Sequence, residues 1–151
     1  MTRSNARELA LHLILDVDYT RDPSETVVDT RMDADYYATL QAENEVYADR
    51  PSKKQLAYIR DVTAGVQEKE EELRGYISKY AINWNVSRIS RMARAILELA
   101  IYEILYVEDV PTGVAINECV ELTRKYEEED VVAFVNGILG SFARSLKEKE
   151  E

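Results

Sequence analysis

Apolar residues return at three- and four-residue steps along nearly the whole chain, and very little interrupts them. Only three prolines and five glycines occur in 151 residues. Steps of three and four are the period of a helix, whereas a half-buried strand alternates every second residue. The spacing therefore predicts an all-α chain, a single-domain helical bundle of about six or seven helices. A chain of 151 residues is long enough to bury a core without disulfide or metal staples. No apolar run approaches the ~20 residues of a membrane span. The charged N-terminus lacks the pattern of a signal peptide, so the expected location is cytoplasmic.

Taken in order, Ser4 is placed to cap a first helix running to about Tyr19, with Ala6, Leu9, Ala10, Leu13, Ile14 and Val17 as its apolar stripe. Asp22 and Pro23 read as a cap and a first-turn proline. They lead a helix through Val28, Met32, Tyr36 and Leu40, with a loop from Ala42 to Pro51. Ser52 and Gln55 form a capping-box pattern. The long helix after it carries Leu56, Ile59, Val62, Val66, Leu73 and Ile77 on one face for about seven turns. Asn83–Asn85 break the pattern around Trp84, read as a lid over a helix junction, and one short turn is expected over Val86–Ile89. Ser90 opens a helix with a wide apolar arc from Met92 to Leu105, expected to be central.

The most informative stretch is Asp109–Ala143. Thr112, between Pro111 and Gly113, is a good N-cap candidate. Val114 or Ala115, then Ile116, Cys119, Val120 and Thr123 share a face of the helix that Lys125 and Tyr126 close. Asp130 can cap a following helix that buries Val131, Phe134, Val135, Ile138 and Phe142. Gly137 and Gly140 inside that helix cost roughly 1 kcal/mol each against alanine. A neighbouring helix lying very close is the simplest reason for them.

The formal net charge of −10 argues against a general nucleic-acid binder, which shows a basic patch and a high pI. Any nucleic-acid role must rest on a local site or on a basic partner. Cys119 is the only cysteine and falls on an apolar helix face, as a buried thiol would. His12 is the only histidine, so no zinc spacing and no Cys-His or Ser-His-Asp arrangement can be assembled. No glycine-rich phosphate loop is present. The residues therefore point to no enzyme, no cofactor and no metal. Tyr36, Tyr37 and Tyr47 lie among acidic residues that repel phosphate, so packing suits them better than base stacking.

The strings D-V-P at Asp109–Pro111, V-A-I-N-E-C-V-E-L at Val114–Leu122 and F-V-N-G-I-L at Phe134–Leu139 resemble the C-terminal half of the NusB family. Upstream, Trp84, Arg88-Ile89 and A-I-L-E-L-A-I-Y-E at Ala95–Glu103 resemble the family's preceding helix, and Arg60–Val66 resembles a further segment. R-S-N-A-R-E at Arg3–Glu8 resembles its basic N-terminal helix. Residues 19–51 match poorly and read as a family-variable stretch. Glu98 stands where the family usually has arginine.

The resemblance implies a transcription antitermination factor. Such a factor binds boxA-type single-stranded RNA of ribosomal RNA leader transcripts together with NusE, a small-subunit ribosomal protein. RNA polymerase then reads through terminators, so the polymerase is an indirect partner. Arg3 and Arg7 are the implied phosphate contacts, although the residues alone also fit a solvated helix end. Asp130 and Phe134 match family positions near RNA, while Phe134 alone also fits an ordinary core. Lys125 joins them on charge. Two other readings of the chain are the NusB-like domain of an rRNA cytosine methyltransferase and a homodimeric regulatory protein without RNA.

Overall fold

The computed structural model describes residues 1–82 and 89–150. The lid expected of Trp84 and most of the turn expected over Val86–Ile89 lie outside the described residues. Among those residues there are eight α-helices and no strand: α1 (Arg3–Thr20), α2 (Ser24–Met32), α3 (Ala34–Gln41), α4 (Lys53–Glu68), α5 (Glu70–Tyr80), α6 (Arg91–Tyr106), α7 (Thr112–Tyr126) and α8 (Glu129–Glu150). A 3₁₀ turn at Glu45–Tyr47 follows α3. The all-α class is as the periodicity predicts. The helix number exceeds six or seven for two reasons. The stretch 19–51 holds two helices and a turn, and the long helix after Ser52 breaks at Lys69.

The chain forms two compact units, Met1–Glu68 and Lys69–Glu151. In the first, α1 packs on α4 and α2. The N-cap of α1 is Thr2, not Ser4: its hydroxyl accepts from the Asn5 N–H at 3.0 Å, satisfying an orphan donor of the first turn. Arg21 ends α1 in the left-handed region at φ 61°. At one end of the unit the Gln55 side-chain amide donates to the Met1 carbonyl at 2.7 Å. At the other, Gln67 accepts from Ser24 N–H at 3.0 Å and donates to the Asp22 carbonyl at 2.8 Å. These ties make α1 and α4 run side by side in the same direction. The capping box is formed as expected, with Gln55 accepting from Ser52 N–H at 2.9 Å and Ser52 Oγ accepting from Gln55 N–H at 3.1 Å.

The helix expected through Val28 to Leu40 is interrupted at Asp33, which takes an extended conformation and caps α3 through Tyr36 N–H at 3.1 Å. Pro23 is the N-cap of α2 rather than its first helical residue. Tyr37 and Tyr47 are buried and meet edge to face at 5.3 Å, and the Tyr37 hydroxyl donates to the Asp49 carbonyl at 2.6 Å. Packing thus explains both, while Tyr36 remains exposed.

In the second unit α6 is central, packed by α5, α7 and α8. Its residues from Ala95 to Glu103 are all buried, which is the wide arc read from the sequence. Ser90 caps it, its hydroxyl accepting from Ala93 N–H at 3.0 Å. Phe142 of α8 is ringed by Tyr76 and Tyr80 of α5 at centroid separations of 4.9 and 6.1 Å. Glu98 is buried between Arg74 and Arg94, whose Nε atoms lie 3.6 and 3.7 Å from its carboxylate. A carboxylate in that position is held by two guanidinium groups, so an arginine there would face two like charges.

Three local expectations change. Thr112 is the first residue of α7 and Pro111 its N-cap, with no side-chain cap. Helix α8 begins at Glu129, where the Glu128 carbonyl accepts from Val131 and Val132 N–H, so Asp130 lies in the first turn instead of capping it. Gly137 is exposed, and a Cβ built on it meets nothing within 4 Å. A Cβ on Gly140 would meet only the Arg144 side chain, at 3.3 Å. Neither glycine marks the close approach of another helix among the described residues.

Candidate nucleic-acid interface

The residues expected to contact RNA divide between the two units and between surface and core. On α1, Arg3 is exposed. Arg7 is only 3% exposed, which removes it from the solvated shoulder where the stripe placed it. The reason lies in the helix itself: every residue from Ala6 to Leu11 is buried. Six consecutive residues span more than a full turn, so α1 is enclosed on all sides there and has no shoulder.

Farther along α1, His12 is half-buried and belongs to a polar network, as a structural histidine does. Its Nδ1 lies 2.9 Å from the Tyr47 hydroxyl, and its Nε2 lies 3.9 Å from Glu8. The Tyr47 oxygen also accepts from the Arg31 guanidinium, which in turn pairs with Asp16. The phenol oxygen can accept from the guanidinium while its proton goes to His12 Nδ1, an arrangement that requires the His12 tautomer with hydrogen on Nε2. Burial pushes the Tyr47 hydroxyl up to about 12, against a smaller opposing effect of Arg31. The network borders a cavity of about 390 Å³.

In the second unit, Lys125 lies in the last turn of α7 and Asp130 in the first turn of α8; both are exposed. The Lys125 ammonium lies 5.7 Å from the Tyr126 ring centroid. One Asp130 oxygen accepts from Val131 N–H at 3.0 Å. Phe134 lies one turn farther into α8 and is only 7% exposed. It shares the buried face of Val135, Ile138 and Phe142, so its ring is core and offers no stacking surface. The structure thus brings Lys125 and Asp130 to the same α7–α8 junction and withdraws Phe134 from it.

Beside that junction runs a groove of about 580 Å³ between α7 and α8, lined among others by Asn117, Glu121, Arg124, Glu129 and Asn136. Arg124 is held by Glu121 at 3.3 Å and Glu129 at 3.4 Å. The sequence reading passed over Asn117 and Asn136. Their signal was present, since each is a polar residue within a motif quoted above and lies on its helix's outward side. Two amides lining one groove, Asn117 from α7 and Asn136 from α8, can donate to and accept from the edges of unstacked bases.

Among the described residues, no helix is long and apolar enough to cross a membrane, and no group of three or more histidine, cysteine or carboxylate side chains could hold a metal ion.

Comparison with known proteins places this arrangement. The chain is 37% identical to the transcription antitermination protein NusB of Symbiobacterium thermophilum, over 97% of this chain and 92% of that protein. It is 37% identical to the protein of the same name from Acetivibrio thermocellus, over 95% and 90%. T. maritima NusB superposes with a TM-score of 0.76 at 27% identity, over 95% of this chain and 92% of that one. The fold also matches a chain of the crystal structure of antitermination factors NusB and NusE in complex with dsRNA, with a TM-score of 0.72, 20% identity and coverage of 95% and 96%. The family model described as the NusB family matches residues 4–144 and so runs through residues 19–51 as well. With the family model spanning both compact units and relatives alike over nearly their full length, the chain belongs to the NusB family.

Proposed function

We infer that this protein is a cytoplasmic transcription antitermination factor. It binds boxA-type single-stranded RNA of ribosomal RNA leader transcripts together with NusE, and the complex lets RNA polymerase read through terminators. The observation that carries this reading is the likeness, at 37% identity over 97% of the chain, to a protein named for transcription antitermination. NusB and NusE occur together with dsRNA in a structure of the same fold. The protein works as a binding module, without an enzymatic step.

Within that reading the surface residues take the direct roles. Arg3 and Lys125 neutralise phosphates. The Asp130 carboxylate accepts hydrogen bonds from base amino groups. Arg7 and Phe134 are buried and act by holding α1 and α8 in place. A net charge of −10 repels RNA at long range but attracts a basic ribosomal protein. The partner therefore supplies much of the positive field.

Isothermal titration of boxA-type RNA, with and without NusE, at two salt concentrations tests the reading. Binding alone should be weak and should tighten with NusE, with a steeper dependence on salt. Equal affinity with and without NusE would overturn the cooperative mechanism, and no binding in either case would overturn the function.

A further inference from the structure

Burial of Arg7 leaves α1 with Arg3 as its exposed N-terminal cation, too little positive charge to hold a polyanion. The structure supplies more from a place that the sequence does not bring near. Gln55 of α4 donates to the Met1 carbonyl at 2.7 Å, so the beginnings of α1 and α4 lie against one another. Arg3 follows that contact by two residues on α1, and Lys53 and Lys54 precede it on α4. All three are exposed.

Their electrostatic state differs from that of six arginines elsewhere in the chain. Arg21, Arg31, Arg60, Arg74, Arg94 and Arg124 are each ion-paired with a carboxylate. Arg3, Lys53 and Lys54 make no ion pair among the described residues. The first turns of α1 and α4 contain no acidic residue, although Asp and Glu outnumber Lys and Arg by 29 to 19 in the chain. Gathering unpaired cations at one end of a unit opposes folding through their mutual repulsion and through the positive ends of both helices. In a chain so rich in acid, neutralisation from within was available and was not used. A cluster left in that state attracts an external anion.

We propose that Arg3, Lys53 and Lys54 form one phosphate-binding corner, which holds the sugar-phosphate backbone of the RNA. This rests on the RNA-binding function inferred above and names residues of α4 that the resemblance does not point to. The reciprocal Ser52–Gln55 cap, tied on to Met1, fixes the two helix starts relative to each other. The corner is thus positioned before RNA arrives. Three contacts of this kind contribute a salt slope of about −2.1 for single-stranded RNA.

The test is K53Q/K54Q in the full-length protein, with K147Q/K149Q as a control that removes the same charge from exposed positions on α8. A fluorescent boxA-type single-stranded oligonucleotide is titrated in the presence of NusE across a range of salt. K53Q/K54Q should shallow the salt slope by about 1.4 and weaken binding roughly 20-fold at 0.1 M salt. The control should stay close to the parent, and the melting temperature of K53Q/K54Q should remain close to it too. If K53Q/K54Q binds as tightly and as steeply as the control while the parent binds well, the corner is refuted and the function stands. If the parent fails to bind RNA with and without NusE, the function fails and this site with it.

Discussion

Nδ1 of His12 and the hydroxyl of Tyr47 lie 2.9 Å apart across 35 residues of chain, and the same hydroxyl accepts from Arg31. The contact ties the 3₁₀ turn at Glu45–Tyr47 to α1 and gives a structural role to the acidic stretch that matched the family least. Tyr47→Phe keeps the ring but removes this shared oxygen. It should lower stability by about 1–3 kcal/mol, read by urea denaturation at pH 7. An unchanged midpoint would mean that the network contributes nothing.

The same hydroxyl carries a pH signature. Its proton is held up to about 12 in the folded chain, while an unfolded tyrosine loses its proton near the ordinary value of about 10. Its contribution to stability is therefore complete below about pH 10 and is lost as pH rises toward 12, because the unfolded state releases its proton first. A shift of that size corresponds to about 2–3 kcal/mol. Denaturation at pH 9, 10 and 11 should show the parent losing stability more steeply than Tyr47→Phe. Parallel curves would remove Tyr47 as the cause.

Glu98 should not tolerate an arginine in its place. Glu98→Arg would set three guanidinium groups together in a buried position and should cost about 3–5 kcal/mol. Glu98→Gln keeps the shape and removes only the charge, so it should cost less. Urea midpoints of the two variants give the comparison, and an E98R protein as stable as the parent would contradict it.

Gly137→Ala should stabilise the protein by about 0.5–1 kcal/mol, since alanine is the better helix former and its Cβ meets open space. Thermal denaturation decides this. A loss of stability would mean that something does approach the glycine.

Arg3 and Arg7 should separate cleanly. Arg3→Ala should reduce the salt slope of RNA binding by about 0.7 without changing stability. Arg7→Ala removes a buried charged group and should cost about 1–3 kcal/mol of folding stability. Paired melting and RNA titrations distinguish the two, and an Arg7→Ala protein of unchanged stability would return that residue to the surface.

Where one face of a helix decides its fate, the sequence was a good guide. The wide arc of α6, the face of α7 that buries Ala115, Cys119, Val120 and Thr123, and the Ser52–Gln55 cap were all legible, since each depends on spacing within one helix. What failed depended on neighbours. Arg7 looked like a shoulder residue because periodicity cannot tell a helix packed on one side from one enclosed on all sides. Gly137 looked like a packing glycine because a cost in propensity shows that a reason exists without showing where it lies. Phe134 fitted a core stripe better on spacing alone and was set near RNA only by the resemblance; spacing does not show how deeply its ring is buried. Lys53 and Lys54 were invisible as partners of Arg3, since nothing local in sequence links residues some fifty positions apart.

The break at Lys69 has a consequence for synthesis. Each compact unit is drawn from one uninterrupted length of chain, Met1–Glu68 and then Lys69–Glu151. Every partner that α1 needs within its unit, from the Tyr47 hydroxyl to the Gln67 amide, has therefore been made before the first residue of α5. Chains emerge from the ribosome N-terminus first and fold region by region. The helix starts that carry Arg3, Lys53 and Lys54 can come together while the second unit is still being translated.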